Sequence, residues 1–118
     1  MWKATKIIAL DQHIESTTVA IAWPGRRPPE LNGDIPSTPE AVRKLVRRLD
    51  DGRTRLRFCY EAGPCGYGVY RQLTDMGYEC TVVAPSMTPR RPGDRIKTDR
   101  RDALTLARQH RSGDLTPV

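Results

Sequence analysis

Residues 5–23 read TKIIALDQHIESTTVAIAW. The apolar run Ile7 to Leu10 stops at Asp11, and the polar stretch Asp11 to Glu15 has the character of a turn. Residues 16–23 then alternate well enough for a second strand. The segment therefore reads as a hairpin whose first strand ends on a carboxylate. Asp11 is the point from which both the fold and the chemistry are read.

Outward from this hairpin, residues 24–30, PGRRPPE, form a breaker-rich turn, and residues 31–35 suit a short third strand. A helix is expected from about Thr38. Ser37 or Thr38 caps it, Pro39 fits the first helical position, and Glu40 suits the positive end of the dipole. Ala41, Val42, Leu45, Val46 and Leu49 make its apolar stripe, Arg43, Lys44, Arg47 and Arg48 its wet side, and Asp50-Asp51-Gly52 its end. Residues 55–60, RLRFCY, form a fourth strand that stops at Glu61. A Gly63-Pro64-Cys65-Gly66 turn leads into a helix to about Met76, with Gly77 as its stop, and residues 78–84 form a fifth strand. Residues 85–97, PSMTPRRPGDRIK, suit no regular element and read as an exposed basic loop. A last helix is expected from about Thr98 to Arg111, with Ala103, Leu104, Leu106 and Ala107 on its packing side. Hairpins followed by alternating helix and strand imply an α/β fold, a mixed sheet with helices on its faces.

The chain has 118 residues, enough for one domain, residues 1–118, and 37% of them are hydrophobic, so the core is small. No apolar run approaches the ~20 residues of a membrane-spanning helix. Lys3 and Lys6 are followed by too short an apolar stretch for a signal peptide, so a cytoplasmic protein without a membrane partner is expected. Cys59, Cys65 and Cys80 are odd in number and form no Cys-x-x-Cys pair, which argues for reduced thiols and against a zinc site. His13 and His110 lie far apart in sequence. The net charge is +6, with seven bases between Arg43 and Arg57 and eight between Arg90 and Arg111. Such stretches suit a polyphosphate partner, although a solvated arginine-rich surface gives the same count.

Four carboxylates stand where a packed core would not place them. Asp11 and Glu61 end strands, and Asp99 and Asp102 are three apart on the expected last helix, sharing a face. If the first and fourth strands are adjacent and parallel, Asp11 and Glu61 meet at a sheet edge, where ligand sites tend to form. Hard oxygen donors suit Mg²⁺ or Mn²⁺ rather than zinc. Each residue also has an ordinary reading. Asp11 is then a turn residue, Glu61 a capping or ion-paired group, and Asp99 and Asp102 partners of a helix dipole or of neighbouring arginines.

The segments IIALDQHIESTTVAIA (7–22), FCYEAGPCGYGVYRQL (58–73), CTVVAPSMTPRRPGDRIKTDRRDALTLAR (80–108) and SGDLTPV (112–118) resemble the N-terminal domain of the DEDD transposases of the insertion-sequence-110 family. The resemblance implies an RNase H-like (RuvC-like) five-stranded sheet of order 3-2-1-4-5. It makes Asp11, Glu61, Asp99 and Asp102 the acidic set that binds Mg²⁺ (or Mn²⁺) for catalysis. It also implies a DNA transposase or recombinase that cuts and rejoins DNA, with DNA and a structured bridge RNA as partners and a homo-oligomeric full-length protein. Arg90, Arg91, Arg95, Lys97, Arg100 and Arg101 would then track a nucleic-acid backbone. Family members carry a serine nucleophile in a second domain. Ser16, Ser37, Ser86 and Ser112 do not fall in the matching region, so these residues alone are expected to form an incomplete recombinase.

Two other functions fit the same residues. A stand-alone Holliday-junction-type nuclease of this fold would cut branched DNA with Mg²⁺ unaided. A non-catalytic RNA- or DNA-binding module, in which the acids merely balance the arginines, would show no carboxylate-dependent metal binding.

Overall fold

The structure is a computed structural model that describes residues 4–63, 65–88, 97–99 and 101–118, with backbone alone at 86–88 and 97–99. Strand β1 (Ala4–Gln12) turns through residues 13–15 into β2 (Ser16–Ala22), and β3 (Glu30–Pro36) follows. Helix α1 (Pro39–Leu49) leads to β4 (Thr54–Glu61), helix α2 (Gly68–Asp75) and β5 (Glu79–Val83). Two short strands, β6 (Ser86–Thr88) and β7 (Lys97–Asp99), precede helix α3 (Ala103–Ser112). The main sheet has five strands in the order β3-β2-β1-β4-β5. Strands β1, β2 and β3 pair antiparallel, whereas β1 with β4 and β4 with β5 pair parallel. This is the mixed α/β sheet expected, with the topology of an RNase H-like fold.

Alternation along each strand divides the core into two layers. Ile8, Leu10, Val19, Ile21, Phe58 and Tyr60 face α1 and α2, where they bury Val42, Leu45, Val46, Leu49 and Leu73. Ile7, Ala9, Ala20, Ala22, Cys59 and Val83 face the other way, onto Ala103, Leu106 and Ala107 of α3. Alanines at three of these sheet positions let α3 approach β1 and β2 closely.

The first two helices are set locally. Thr38 caps α1 by accepting a hydrogen bond from the Ala41 amide at 3.2 Å, and Pro39 opens the helix. Gly77 follows α2 with φ +92°, and the Tyr78 amide reaches back to the Leu73 carbonyl at 2.9 Å. Glycine is needed there because a Cβ disfavours that backbone.

Two expectations change. Residues 86–88 and 97–99 pair as an antiparallel two-stranded sheet, so part of the stretch read as a structureless loop is a ribbon. The helix expected from Thr98 begins instead at Ala103, because Asp102 takes an extended conformation and becomes its N-cap. Asp99 consequently lies on β7, paired with Ser86, and does not share a helical face with Asp102.

Beyond α3 the chain runs along the outer side of β5. The Ala84 amide donates to the Thr116 carbonyl at 2.7 Å and the Val118 amide to the Val82 carbonyl at 2.9 Å. Among the described residues no helix is long and apolar enough to cross a membrane.

Candidate metal centre

Asp11 and Glu61 are brought together by register. Leu10 pairs with Tyr60 in the parallel β1–β4 ladder, so the next residues on the two strands, Asp11 and Glu61, stand side by side. Both continue the odd-numbered series, Ile7, Ala9 and Cys59, that faces α3. Their side chains are largely covered, 14% exposed for Asp11 and 7% for Glu61. The end of β4 is braced from two sides. The Ala62 amide donates to the Val83 carbonyl at 2.9 Å, and the Tyr60 hydroxyl donates to the Gly66 carbonyl at 3.0 Å.

Asp102 stands at the start of α3 as its N-cap, and the following residue, Ala103, is packed against the same sheet face. Its Oδ1 accepts from the Thr105 amide at 2.8 Å, and that bond holds the carboxyl below the usual aspartate range. Asp102 is thus committed on one oxygen to capping α3. Asp99 is placed at the end of β7, three residues before Asp102 and opposite Ser86.

Arg101, expected with the other bases of its run at a nucleic-acid backbone, is paired within the chain. Its guanidinium is only 16% exposed. One of its terminal nitrogens, Nη1, donates to Glu61 Oε2 at 3.1 Å and to the Ala84 carbonyl at 3.1 Å. Lys97 lies on β7, while Arg90, Arg91, Arg95 and Arg100 fall outside the described residues. The sequence reading misses a further neighbour. His13 Nε2 lies 3.3 Å from Asp11 Oδ2 and is half exposed. The only sequence signal for it is its position two residues after Asp11, which puts it on the same side of an extended chain.

Among the described residues no group of three His, Cys, Asp or Glu side chains is close enough to hold an ion. The donors fit a hard divalent cation in kind. Asp11 and Glu61 supply adjacent carboxylates with shielded surroundings, and Asp102 retains one oxygen outside its cap. A separate groove of about 330 Å³ lies on the opposite side of the sheet, lined by Gln12, Thr17, Ser37, Val69 and Gln72 among others. It contains no carboxylate, so the acidic chemistry is not there. Two of the three thiols are also removed from the acidic chemistry: burial raises the pKa of Cys59 and of Cys80 to about 12 each.

The family model of the DEDD transposases of insertion sequence 110, described as a transposase, matches residues 8–118. Putative transposase y4qE of Sinorhizobium fredii is 42% identical over 113 residues, which cover 94% of this chain and 29% of that protein. The transposase for insertion sequence element IS1533 of Leptospira borgpetersenii is 34% identical over 105 residues, covering 89% of this chain and 30% of that protein. The chain spans about three tenths of the length of these relatives.

Proposed function

The chain belongs to the DEDD transposase family of insertion sequence 110, and from that premise we propose that it is the metal-binding part of an enzyme that cuts and rejoins DNA during transposition. The observation that carries this reading is the parallel β1–β4 register, which seats Asp11 beside Glu61 on the sheet face that α3 covers. Asp11, Glu61, Asp99 and Asp102 are the residues assigned to Mg²⁺ or Mn²⁺. A divalent ion held by these residues would supply positive charge against the scissile phosphate and would polarise the attacking oxygen. Asp11 and Glu61 provide a rigid pair of ligands because both sit on hydrogen-bonded strands rather than on loops. Asp102 follows Arg101, whose backbone amide and guanidinium tie the start of α3 to Glu61. The attacking hydroxyl is assigned to the part of the relatives that this chain does not span.

Arg90, Arg91, Arg95, Lys97 and Arg100 are assigned to the nucleic-acid backbone. They lie close in sequence to Asp99 and Asp102, where a phosphodiester entering the site would pass. Besides DNA, a structured guide RNA suits the same basic segment. In this role the domain works in the cytoplasm, within a homo-oligomer of the full-length transposase.

Calorimetric titration of the chain with Mn²⁺ tests the metal reading, and Asp11→Asn is expected to abolish most of the heat. Retention of wild-type affinity in that variant would remove Asp11 from the centre. In the full length typical of the relatives, Asp11→Asn or Asp102→Asn should stop strand transfer. Cleavage of branched DNA by this chain alone would instead favour a resolvase-like nuclease.

A further inference from the structure

Arg101 grips Glu61 at one oxygen. Its guanidinium and its own backbone amide both point to Oε2, at 3.1 and 3.4 Å, while Oε1 has no hydrogen-bond partner among the described residues. The guanidinium is itself anchored, because the same Nη1 also serves the Ala84 carbonyl just past β5. Arg101 therefore joins the ends of two adjacent strands, β4 and β5, to the residue that precedes the cap of α3. With both partners largely covered, it is no freely moving surface charge. A guanidinium has several donors in a fixed plane, so it can hold a carboxylate from one side and leave the other side open.

We propose that Arg101 is a positioning residue for the metal centre, fixing Glu61 through Oε2 so that Oε1 is the oxygen offered to the cation. This rests on the metal reading above. The reading with the opposite consequence makes Arg101 a plug that stands in the cation's place and must leave when it binds. The Ala84 hydrogen bond speaks for the clamp, since a departing arginine would leave that carbonyl without its donor. Metal-binding carboxylates commonly depend on such outer partners, whose loss weakens metal affinity by about 10–100-fold.

The test is Mn²⁺ affinity, measured by calorimetry on the 118-residue chain with thermal melts in parallel. Arg101→Gln is expected to weaken binding by at least about 10-fold. Arg101→Lys keeps the charge without the planar fork and should fall between that variant and wild type. If Arg101→Gln does not fold, Arg101→Lys decides. Adding Arg101→Gln to Glu61→Gln should change little, because Arg101 acts through Glu61. Unchanged or tighter binding in a folded Arg101 variant overturns the clamp, with tighter binding pointing to the plug. An undiminished effect in the Glu61→Gln background overturns it in favour of a general structural role. Absence of Mn²⁺ binding by wild type overturns the metal reading and the clamp with it, whereas wild-type binding that survives in Arg101→Gln overturns the clamp alone.

Discussion

Asp102 has two duties that different substitutions separate. As the N-cap of α3 it accepts a hydrogen bond, and as a proposed ligand it supplies negative charge. Asparagine caps a helix about as well as aspartate, so Asp102→Asn should leave stability nearly unchanged while lowering Mn²⁺ affinity. Asp102→Ala loses both and should cost about 1 kcal/mol in urea unfolding as well. His110 offers a second residue-level prediction. Burial, aided by Arg57, lowers its pKa below the ordinary histidine value of 6.5. Between that lowered value and about 6.5 the unfolded chain binds more protons than the folded one, so this contribution to stability is complete above pH 6.5 and shrinks on acidification. The wild-type urea midpoint should be lower at pH 5 than at pH 7.5, and His110→Gln should flatten the difference. The neighbourhood of Asp11 and Glu61 was legible because each follows an apolar run, so a parallel pairing of those strands puts the two side by side. The Arg101–Glu61 pair was not, since forty residues separate the partners and one arginine in a basic run looks like any other.

At the level of elements, α1 was legible to its cap because Thr38, Pro39 and the stripe from Val42 to Leu49 all point to one answer. The start of α3 was misplaced for a physical reason. Asp99 and Asp102 are both acceptable in a first helical turn, and nothing local says that Asp102 turns its carboxylate back onto the Thr105 amide. The β6–β7 ribbon was hidden because its strands have three residues each and depend on one another for hydrogen bonds. Gly77 gives a test at this scale. Alanine in its place meets no neighbouring atom, so the penalty of Gly77→Ala comes from the φ of +92° alone. A loss of about 1 kcal/mol is expected by chemical denaturation, without a change in Mn²⁺ affinity.

For the whole molecule, the excess of positive charge should be visible as salt-dependent binding. Replacing Arg90, Arg91 and Arg95 by glutamine should weaken association with DNA or RNA of any sequence. It should also reduce the slope of log affinity against log salt by about one for each phosphate left without its arginine. An unchanged slope would move the nucleic-acid surface elsewhere, with the basic side of α1 the next place to look. The sheet order was legible at this scale through the family resemblance, whereas periodicity alone left the pairing of β1 with β4 conditional.

The segment after α3 that runs along β5 has a consequence for colloidal behaviour. Val82 and Val83 lie in a parallel strand whose outer backbone groups would otherwise offer a template to another chain. Hydrogen bonds from Val118 and to Thr116 occupy part of that template. The opposite border of the sheet, β3, is mostly exposed, carries Glu30 and Asp34, and is kinked by an irregularity opposite Val19 and Ala20. Charge and irregularity discourage edge-to-edge stacking there. One border is thus capped and the other made inhospitable, which protects a protein with a small core from growing its sheet into its neighbours.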